Sequence, residues 1–160
     1  MRPGLYLERA TLDDVAALAA LEAACFSHPW TEGQIADEIA AGPPGAVFVL
    51  RSLAAGGGPA LTCAACAYRV VVDEMQVLDV AVATDRRRLG LARFLLRIAM
   101  RGALRSGARI AVLEVRAGNE QALALYEALG FVRQGIRREY YRQPVEDAVL
   151  LQRRLAPGDC

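Results

Sequence analysis

Residues 85–96 read DRRRLGLARFLL, so three consecutive arginines and a glycine stand directly before a long helical pattern. The first backbone N–H groups of a helix lack intrahelical partners and lie at the positive end of its dipole. Glycine lets the main chain approach an anion closely, and arginine adds positive charge. The stretch predicts either an anion site that suits a pyrophosphate or a turn with solvated arginines, and by itself it does not decide between them.

The helix that follows has an apolar stripe and a basic stripe. Apolar positions recur at helical spacing and predict a buried face made of Leu91, Phe94, Leu95, Ile98 and Gly102. The basic stripe consists of arginines four residues apart: Arg93, Arg97, Arg101 and Arg105. We interpret the basic stripe as a solvated face, with contact to a phosphate group or to RNA as the alternative.

The rest of the chain predicts strands and helices on both sides of this segment. The order is strand, two helices, three strands, helix, strand, helix and two strands. Helix starts are predicted at the capping box of Thr11 and Asp14, near Thr31, and at Asn119, and stops near Cys25 and at Gly42 and Gly130. The predicted strands cover 5–10, 46–53, 61–83 with a hinge at 73–74, 108–117, 131–141 and 146–155. This order predicts an α/β (mixed α+β) fold, with one mixed, mostly antiparallel sheet and helices on both faces.

Composition limits the class of protein. The 160 residues are 54% hydrophobic, which suits a single domain over 1–160 that buries about two-thirds of its unfolded surface. Nineteen basic and eighteen acidic residues give a net charge of +1, which argues against a protein that mainly coats nucleic acid or an anionic membrane. No apolar run approaches the roughly 18 residues of a membrane span, and the first residues do not resemble a signal peptide. We therefore expect a cytoplasmic protein without a membrane partner and without a direct nucleic-acid role.

The cysteines and the single histidine point to neither a disulfide framework nor a metal site. Cys63 and Cys66 form a C-x-x-C pair, but on a strand residues three apart face opposite sides. Unless the strand breaks there, they are predicted to be small buried residues. His28 precedes Pro29 and is interpreted as a surface or packing residue. Acid–base chemistry is thus left mostly to carboxylates, tyrosines or a substrate group.

Two side chains are candidates for that chemistry. Glu114 interrupts the apolar run IAVLEV, where an unpaired carboxylate is costly to bury. Taken by itself, it is predicted to pair with Arg116, two residues on and on the same strand face. Tyr126 shares a helix face with Leu123 and Gly130, and by itself it is a core tyrosine.

The segments on either side of the arginine segment favour one interpretation of it. RRLGLA, residues 87–92, resembles the arginine-or-glutamine, x, x, Gly, x, Gly-or-Ala signature of the Gcn5-related N-acetyltransferases. LDVAVATD upstream and LEVRAGNEQALALYEALGF downstream follow that family's order and spacing, so the resemblance covers nearly the whole chain. Ala92 stands where a second glycine is common, and residues 54–59 form a longer, more glycine-rich segment than the family suggests.

The resemblance implies a cosubstrate, acetyl-CoA, and no metal. It implies a strand that separates from its neighbour to hold the pantetheine arm, and a loop and helix start that hold the pyrophosphate. The implied cofactor contacts are Val80, Ala81, Val82, Arg87, Arg88, Leu89, Gly90, Leu91, Ala92, Arg93 and Asn119. The resemblance also assigns Glu114 as the base for the substrate ammonium and Tyr126 as the acid for the departing thiolate.

Three further segments, FSHPWTE, RREYY and EDAVLL, resemble family members that acetylate the N-terminal alanine of ribosomal protein S18. This resemblance implies a protein N-terminus as the acceptor, bound in a groove that includes Trp30, Tyr140 and Tyr141. From sequence alone these three residues could equally be packing aromatics. The alternatives are an acetyltransferase of a small amine or a lysine side chain, and a CoA-binding module without catalysis.

Overall fold

The computed structural model describes residues 4–53 and 60–156, which form a seven-stranded sheet and four α-helices. The strands are β1 (Leu5–Arg9), β2 (Ala46–Ser52), β3 (Leu61–Val71), β4 (Glu74–Val82), β5 (Ile110–Arg116), β6 (Val132–Arg142) and β7 (Val145–Arg154). The helices are α1 (Val15–Cys25), α2 (Glu32–Ala41), α3 (Leu91–Arg105) and α4 (Glu120–Ala128). The predicted glycine-rich turn at 54–59 and the terminal Cys160 lie outside the described residues.

The strand order in the sheet is β1-β2-β3-β4-β5-β7-β6, and every neighbouring pair is antiparallel except β4 and β5, which are parallel. One core cluster lies under α3 and α4 and includes Leu95, Leu96 and Leu123. A second cluster lies under α1 and α2 and includes Leu18 and Ile35. These findings confirm the predicted mixed, mostly antiparallel sheet with helices on both faces. No helix in the two described ranges is long and apolar enough to cross a bilayer.

The predicted helix starts are also confirmed, because local side chains satisfy the first backbone N–H groups. The Thr11 N–H donates to Asp14 Oδ2 at 2.9 Å, and Thr31 forms a capping box with Gln34. Asn119 Oδ1 accepts from the Ala122 N–H at 3.1 Å.

The buried face of α3 differs in part from the predicted stripe. Leu91 and Leu95 are buried as predicted, but Phe94, Ile98 and Gly102 are only partly buried. The remaining core contacts of α3 come from Leu96, Ala99, Met100 and Ala103. The prediction weighted large apolar residues, whereas small alanines bring this helix close to the sheet.

A β-bulge changes the prediction for the two central cysteines. Leu50 pairs with Ala64 but Arg51 pairs with Thr62, so Cys63 is the extra residue of β3. As a result Cys63 and Cys66 belong to the same core cluster rather than to opposite faces. Both are free, buried thiols, as expected of small apolar residues, and burial raises the pKa of Cys66. Within 4–53 and 60–156, no group of three metal-ligating side chains is close enough to hold a metal ion.

Asp14 ties α1 to the sheet, and its removal should destabilise the fold. Its carboxylate pairs with Arg51, which also bonds Glu8 Oε2 at 2.8 Å. Burial acts to raise the pKa of Asp14, but the Thr11 N–H and Arg51 outweigh it and the pKa is lowered. We expect Asp14→Ala to lower the free energy of unfolding by about 2 kcal/mol in urea titrations at neutral pH.

The pH dependence of that loss follows from the lowered pKa. Stability from Asp14 is present above the unfolded carboxyl pKa of about 3.9 and disappears as the pH falls through the lower folded value. The difference between parent and variant should therefore shrink in acid. Asp13→Ala removes the adjacent, exposed carboxylate and should leave stability within about 0.5 kcal/mol. Equal losses in the two variants would contradict the role of Asp14.

Candidate active site

The centre of the sheet contains a gap between β4 and β5. The two strands pair only at Glu74–Ile110, Met75–Ala111 and Gln76–Val112. Beyond these pairs β4 continues along β3 to Val82, and β5 continues along β7 to Arg116. Main-chain groups that face the gap therefore need partners, and an extended ligand with amide groups can supply them. Val80, Ala81 and Val82, the predicted contacts of the pantetheine arm, line the β4 side of this gap.

Strand β4 ends beside the gap, and a 3-10 turn, Thr84–Arg86, begins the connection from this end to the N-terminus of α3. Gly90 caps the helix at φ +81°, and no side-chain hydrogen bond caps it, unlike α2 and α4. A Cβ at Gly90 would meet no atom within 4 Å, so the space in front of it is open. The N–H groups of the first turn, at Leu91, Ala92 and Arg93, have no acceptor within the helix and receive no side-chain cap.

Arginines surround this helix start in different ways. Arg87 Nε donates to the Val82 carbonyl at 3.3 Å and so ties the loop to the end of β4. Arg86 Nε pairs with Asp85 Oδ2 at 3.1 Å. Arg88, which adopts φ +59°, and Arg93 are exposed and form no ion pair among the described residues. Their guanidinium groups remain available to an anion at the helix start.

The other three arginines of the basic stripe lie further along α3. Arg97 and Arg105 are exposed and Arg101 is partly exposed. This exposure agrees with their interpretation as a solvated face.

Glu114 lies on β5 beside the gap, with its side chain 27% exposed. Its Oε1 is 2.8 Å from Arg137 Nη1, and the nearby Glu114 carboxylate raises the pKa of Tyr140. The predicted alternative, a pair with Arg116, is not observed. Arg116 instead pairs with Glu146 at 3.0 Å.

The sequence analysis did not identify Arg137 as the partner of Glu114. Strand β6 is separated from β5 by β7, and its register shifts between Arg137 and Tyr141. The contact therefore depends on strand order and on a bulge. RREYY was recognised as a segment, but no local spacing indicates this contact.

Tyr126 is buried in α4 and packs edge-on against Phe131, with ring centroids 5.7 Å apart. Burial raises its pKa, with smaller contributions from Cys66, Asp79 and Tyr141. The hydroxyl therefore stays protonated at ordinary pH and is able to donate a proton. Tyr141 interacts electrostatically with both Tyr126 and Glu114, so the fold brings the two predicted acid–base residues into one region.

The predicted groove aromatics lie on two different segments. Tyr140 and Tyr141 contact each other edge-on at 5.2 Å, and Arg116 lies 4.1 Å above the Tyr141 ring. Trp30 is on the α1–α2 loop and is partly buried.

The α1–α2 loop approaches the β6–β7 turn. His28 Nε2 is 3.4 Å from Gln143 Oε1, and His28 is exposed, as predicted. The two segments that carry the aromatics are therefore linked by a direct side-chain contact.

The separated strands, the open helix start and the flanking carboxylate and tyrosine define a transferase that binds an extended, phosphate-bearing cosubstrate. The model of the Acetyltransferase (GNAT) family matches residues 15–131, and the chain belongs to this family.

One relative and two solved structures illustrate the similarity. The [Ribosomal protein bS18]-alanine N-acetyltransferase of Escherichia coli (strain K12) is 34% identical over 140 residues, which cover 86% of this chain and 89% of that protein. The crystal structure of the ribosomal-protein-S18-alanine N-acetyltransferase from Escherichia coli has a TM-score of 0.81 at 31% identity, with 95% and 94% of the chains covered. The NatC complex bound to a Gag peptide and CoA has the same fold, with a TM-score of 0.83 at 21% identity and coverage of 95% and 99%.

Proposed function

We propose that this protein is an acetyl-CoA-dependent N-α-acetyltransferase that modifies the N-terminal alanine of ribosomal protein S18. The observation that carries the proposal is the gap between β4 and β5, which leads into the uncapped start of α3. The Escherichia coli relative, which is similar over most of the chain, supports the choice of acceptor. In this proposal the residues 1–160 form one N-acetyltransferase domain, and action on a ribosomal protein places it in the cytoplasm.

The residues present fit acetyl-CoA. The part of β4 that β5 does not cover, at Val80, Ala81 and Val82, would bond the pantetheine amides, and Asn119 would contact the same arm from the start of α4. The main chain at 89–92, together with Arg87, Arg88 and Arg93, would hold the pyrophosphate at the helix N-terminus. When bound, acetyl-CoA supplies an activated thioester.

The chain's own groups would manage the protons. Glu114 would accept a proton from the substrate ammonium, directly or through water, because only a neutral amine is a nucleophile. Tyr126 would donate a proton to the departing sulfur. The reference pKa values of phenol and thiol differ by about 1.5 units, and the raised pKa of Tyr126 makes this transfer costlier than that difference suggests.

The test of the proposal is acetylation of defined peptides, read by mass spectrometry. The purified full chain would be incubated with acetyl-CoA and a peptide that carries the S18 N-terminus, or with a lysine-containing peptide whose N-terminus is blocked. We expect acetylation of the first peptide at its α-amine. Acetylation of the blocked peptide alone would support a lysine acetyltransferase, and tight acetyl-CoA binding without turnover would support a binding module.

The anion site can be tested at Gly90. Gly90→Asp adds a side chain and a negative charge where the pyrophosphate would lie, so acetyl-CoA affinity should fall about thirtyfold, or about 2 kcal/mol. The measurement is calorimetric titration with acetyl-CoA.

The matched control for this variant is Gly107→Asp. Gly107 also has a left-handed φ, +94°, and open space around its Cβ position, but it follows the other end of α3. Gly107→Asp therefore introduces the same backbone strain and the same negative charge, but at a position away from the proposed site. Unchanged affinity in a folded Gly90→Asp variant, or equal losses in both variants, would contradict the anion site.

A further inference from the structure

Two carboxyl groups meet beneath the α1–α2 loop on the acceptor side of the sheet. Glu22, near the end of α1, is 5% exposed, and Asp79, on β4, is partly buried. Both line a cavity of about 20 Å³ that has room for about one water and whose other lining residues are Trp30 and apolar side chains. A carboxyl pair therefore lies directly under the loop that carries Trp30.

The contact between these groups requires a proton. Glu22 and Asp79 line the same small cavity close enough for their side chains to share a hydrogen bond, and two ionised carboxylates can only accept hydrogen bonds. One of the two must therefore be protonated. Burial, followed by the Glu22 carboxyl, raises the pKa of Asp79 well above its usual range. The Trp30 N–H, 3.2 Å from Glu22 Oε2, favours the ionised form of Glu22, so the proton is assigned to Asp79.

The surroundings of the pair contain no compensating cation. No arginine in 4–53 or 60–156 forms an ion pair with either carboxyl, and His28 is exposed and contacts Ser27 and Gln143 instead. The other titratable groups that interact with Asp79 are neutral ones, the Cys66 thiol on β3 and the Tyr126 hydroxyl on α4. Loss of the shared proton would thus place two negative charges in contact without a counter-charge.

Glu22 also binds the main chain of the α1–α2 loop. Glu22 Oε2 accepts the Trp30 N–H at 3.2 Å. With Asp79 protonated, Glu22 receives one hydrogen bond from β4 and one from the loop, and so connects the two. When repulsion separates the carboxyls, Trp30 loses its fixed position over β4.

We propose that Glu22 and Asp79 form a proton-sharing latch that positions the Trp30 loop against β4 and thereby shapes the acceptor groove. Both are positioning residues, since they act through Trp30. The link to the acceptor rests on the proposed function, whereas the link to Trp30 does not. Since the folded pKa of Asp79 is raised, the latch is closed at low pH and opens as the pH rises through that raised value.

The fluorescence of Trp30 tests the latch directly, because this is the only tryptophan in the chain. In an upward pH titration of the parent, carried from acid as far as the chain stays folded, we expect a transition in Trp30 emission as the pair loses its proton. Over the same transition the KM for the alanine-starting peptide should rise about tenfold, the equivalent of one charged hydrogen bond, with a smaller change in kcat. Acetyl-CoA affinity should stay constant.

Two nearly isosteric variants each remove one of the two carboxyls, so ionisation can no longer bring two negative charges into contact. In Asp79→Asn the amide N–H donates to Glu22, and in Glu22→Gln the amide donates to Asp79 while its oxygen still accepts the Trp30 N–H. Both should show flat Trp30 emission and a constant KM across the pH range. Asp37→Asn neutralises an exposed carboxylate on α2 and should retain the parent's transition.

The outcomes separate the latch from the proposed function. A parent without a transition, or a folded Asp79→Asn or Glu22→Gln variant that retains it, would overturn the latch even if the peptide is acetylated. A transition that is abolished in both variants supports the latch even if the peptide is not acetylated, in which case the proposed acceptor is wrong.

Discussion

Tyr126→Phe is expected to lower kcat by about tenfold to a thousandfold while acetyl-CoA binds with the parent's affinity. The substitution deletes one hydroxyl and preserves the ring, so the edge-on contact with Phe131 remains. A proton donor acts only during breakdown of the thioester bond, so its loss should reduce turnover and leave binding unchanged. The measurement is single-turnover acetylation together with calorimetric titration of acetyl-CoA.

Tyr68→Phe is the matched control. Tyr68 is also a buried tyrosine in the same core cluster, and burial raises its pKa too. Its hydroxyl, however, lies against Gly102 of α3, so this variant should keep the parent's kcat. A Tyr126→Phe variant that turns over at the parent rate, or a similar loss in both variants, would make Tyr126 a core residue only.

The raised pKa of Tyr126 also predicts how kcat depends on pH. An acid must be protonated to act, and burial keeps this hydroxyl protonated beyond the usual tyrosine pKa of about 10. The parent's kcat should therefore show no alkaline decline caused by Tyr126 below about pH 10. Such a decline, present in the parent and absent in Tyr126→Phe, would contradict the burial of this group.

The parts of the fold that the sequence predicts well are those that neighbouring residues determine. Thr11, Thr31 and Asn119 each cap a helix within three residues, so the helix starts were predictable. The position of the proposed anion site was predicted from neighbouring residues in the same way, because an amphipathic helix begins directly after the glycine of RRLGLA.

The contacts that the sequence does not predict depend on distant segments. A pair between Glu114 and Arg116 was one of two predictions for Glu114, because the two residues share a strand face. Arg137 is instead its ion-pair partner, through the order β5-β7-β6. Cys63 was expected on the face opposite Cys66, but it is the extra residue of a β-bulge in β3 and lies in the same core cluster as Cys66. Strand order and bulges are decided by tertiary packing, which local spacing does not encode.

The sequence also contains a signal at Asp79 that the predictions did not include. Asp79 interrupts the apolar run LDVAVA in the same way that Glu114 interrupts IAVLEV. A carboxyl in a buried strand requires either a partner or a proton, so the sequence predicts one of the two at Asp79 as well as at Glu114. The identity of the partner, Glu22, still required the structure, because Glu22 and Asp79 are 57 residues apart in the chain.

The choice of acceptor follows from the cost of making its amine neutral. A peptide α-amine has a pKa near 7.7 to 8.0, so deprotonation at pH 7 costs about 1 to 1.4 kcal/mol, whereas a lysine amine near 10.4 costs about 4.6 kcal/mol. The chain's only histidine, His28, is exposed and contacts Gln143, which leaves the Glu114 carboxylate as the proposed base. A single carboxylate is better matched to the smaller cost. We therefore expect efficient acetylation of an alanine-starting peptide and far slower acetylation of an internal lysine.

Glu114→Gln tests the base itself. The variant should lose most of its kcat near neutral pH and recover part of it above about pH 8, where the α-amine of the substrate is already neutral. Rates at saturating peptide are compared, so that changes in KM from the Glu22–Asp79 latch do not enter. Glu127→Gln, which removes an ion-paired glutamate 3.0 Å from Arg133 on the surface, should follow the parent's profile. Equal rates on the alanine-starting and lysine-containing peptides would contradict the acceptor, and a Glu114→Gln profile parallel to the parent's at every pH would show that another group is the base.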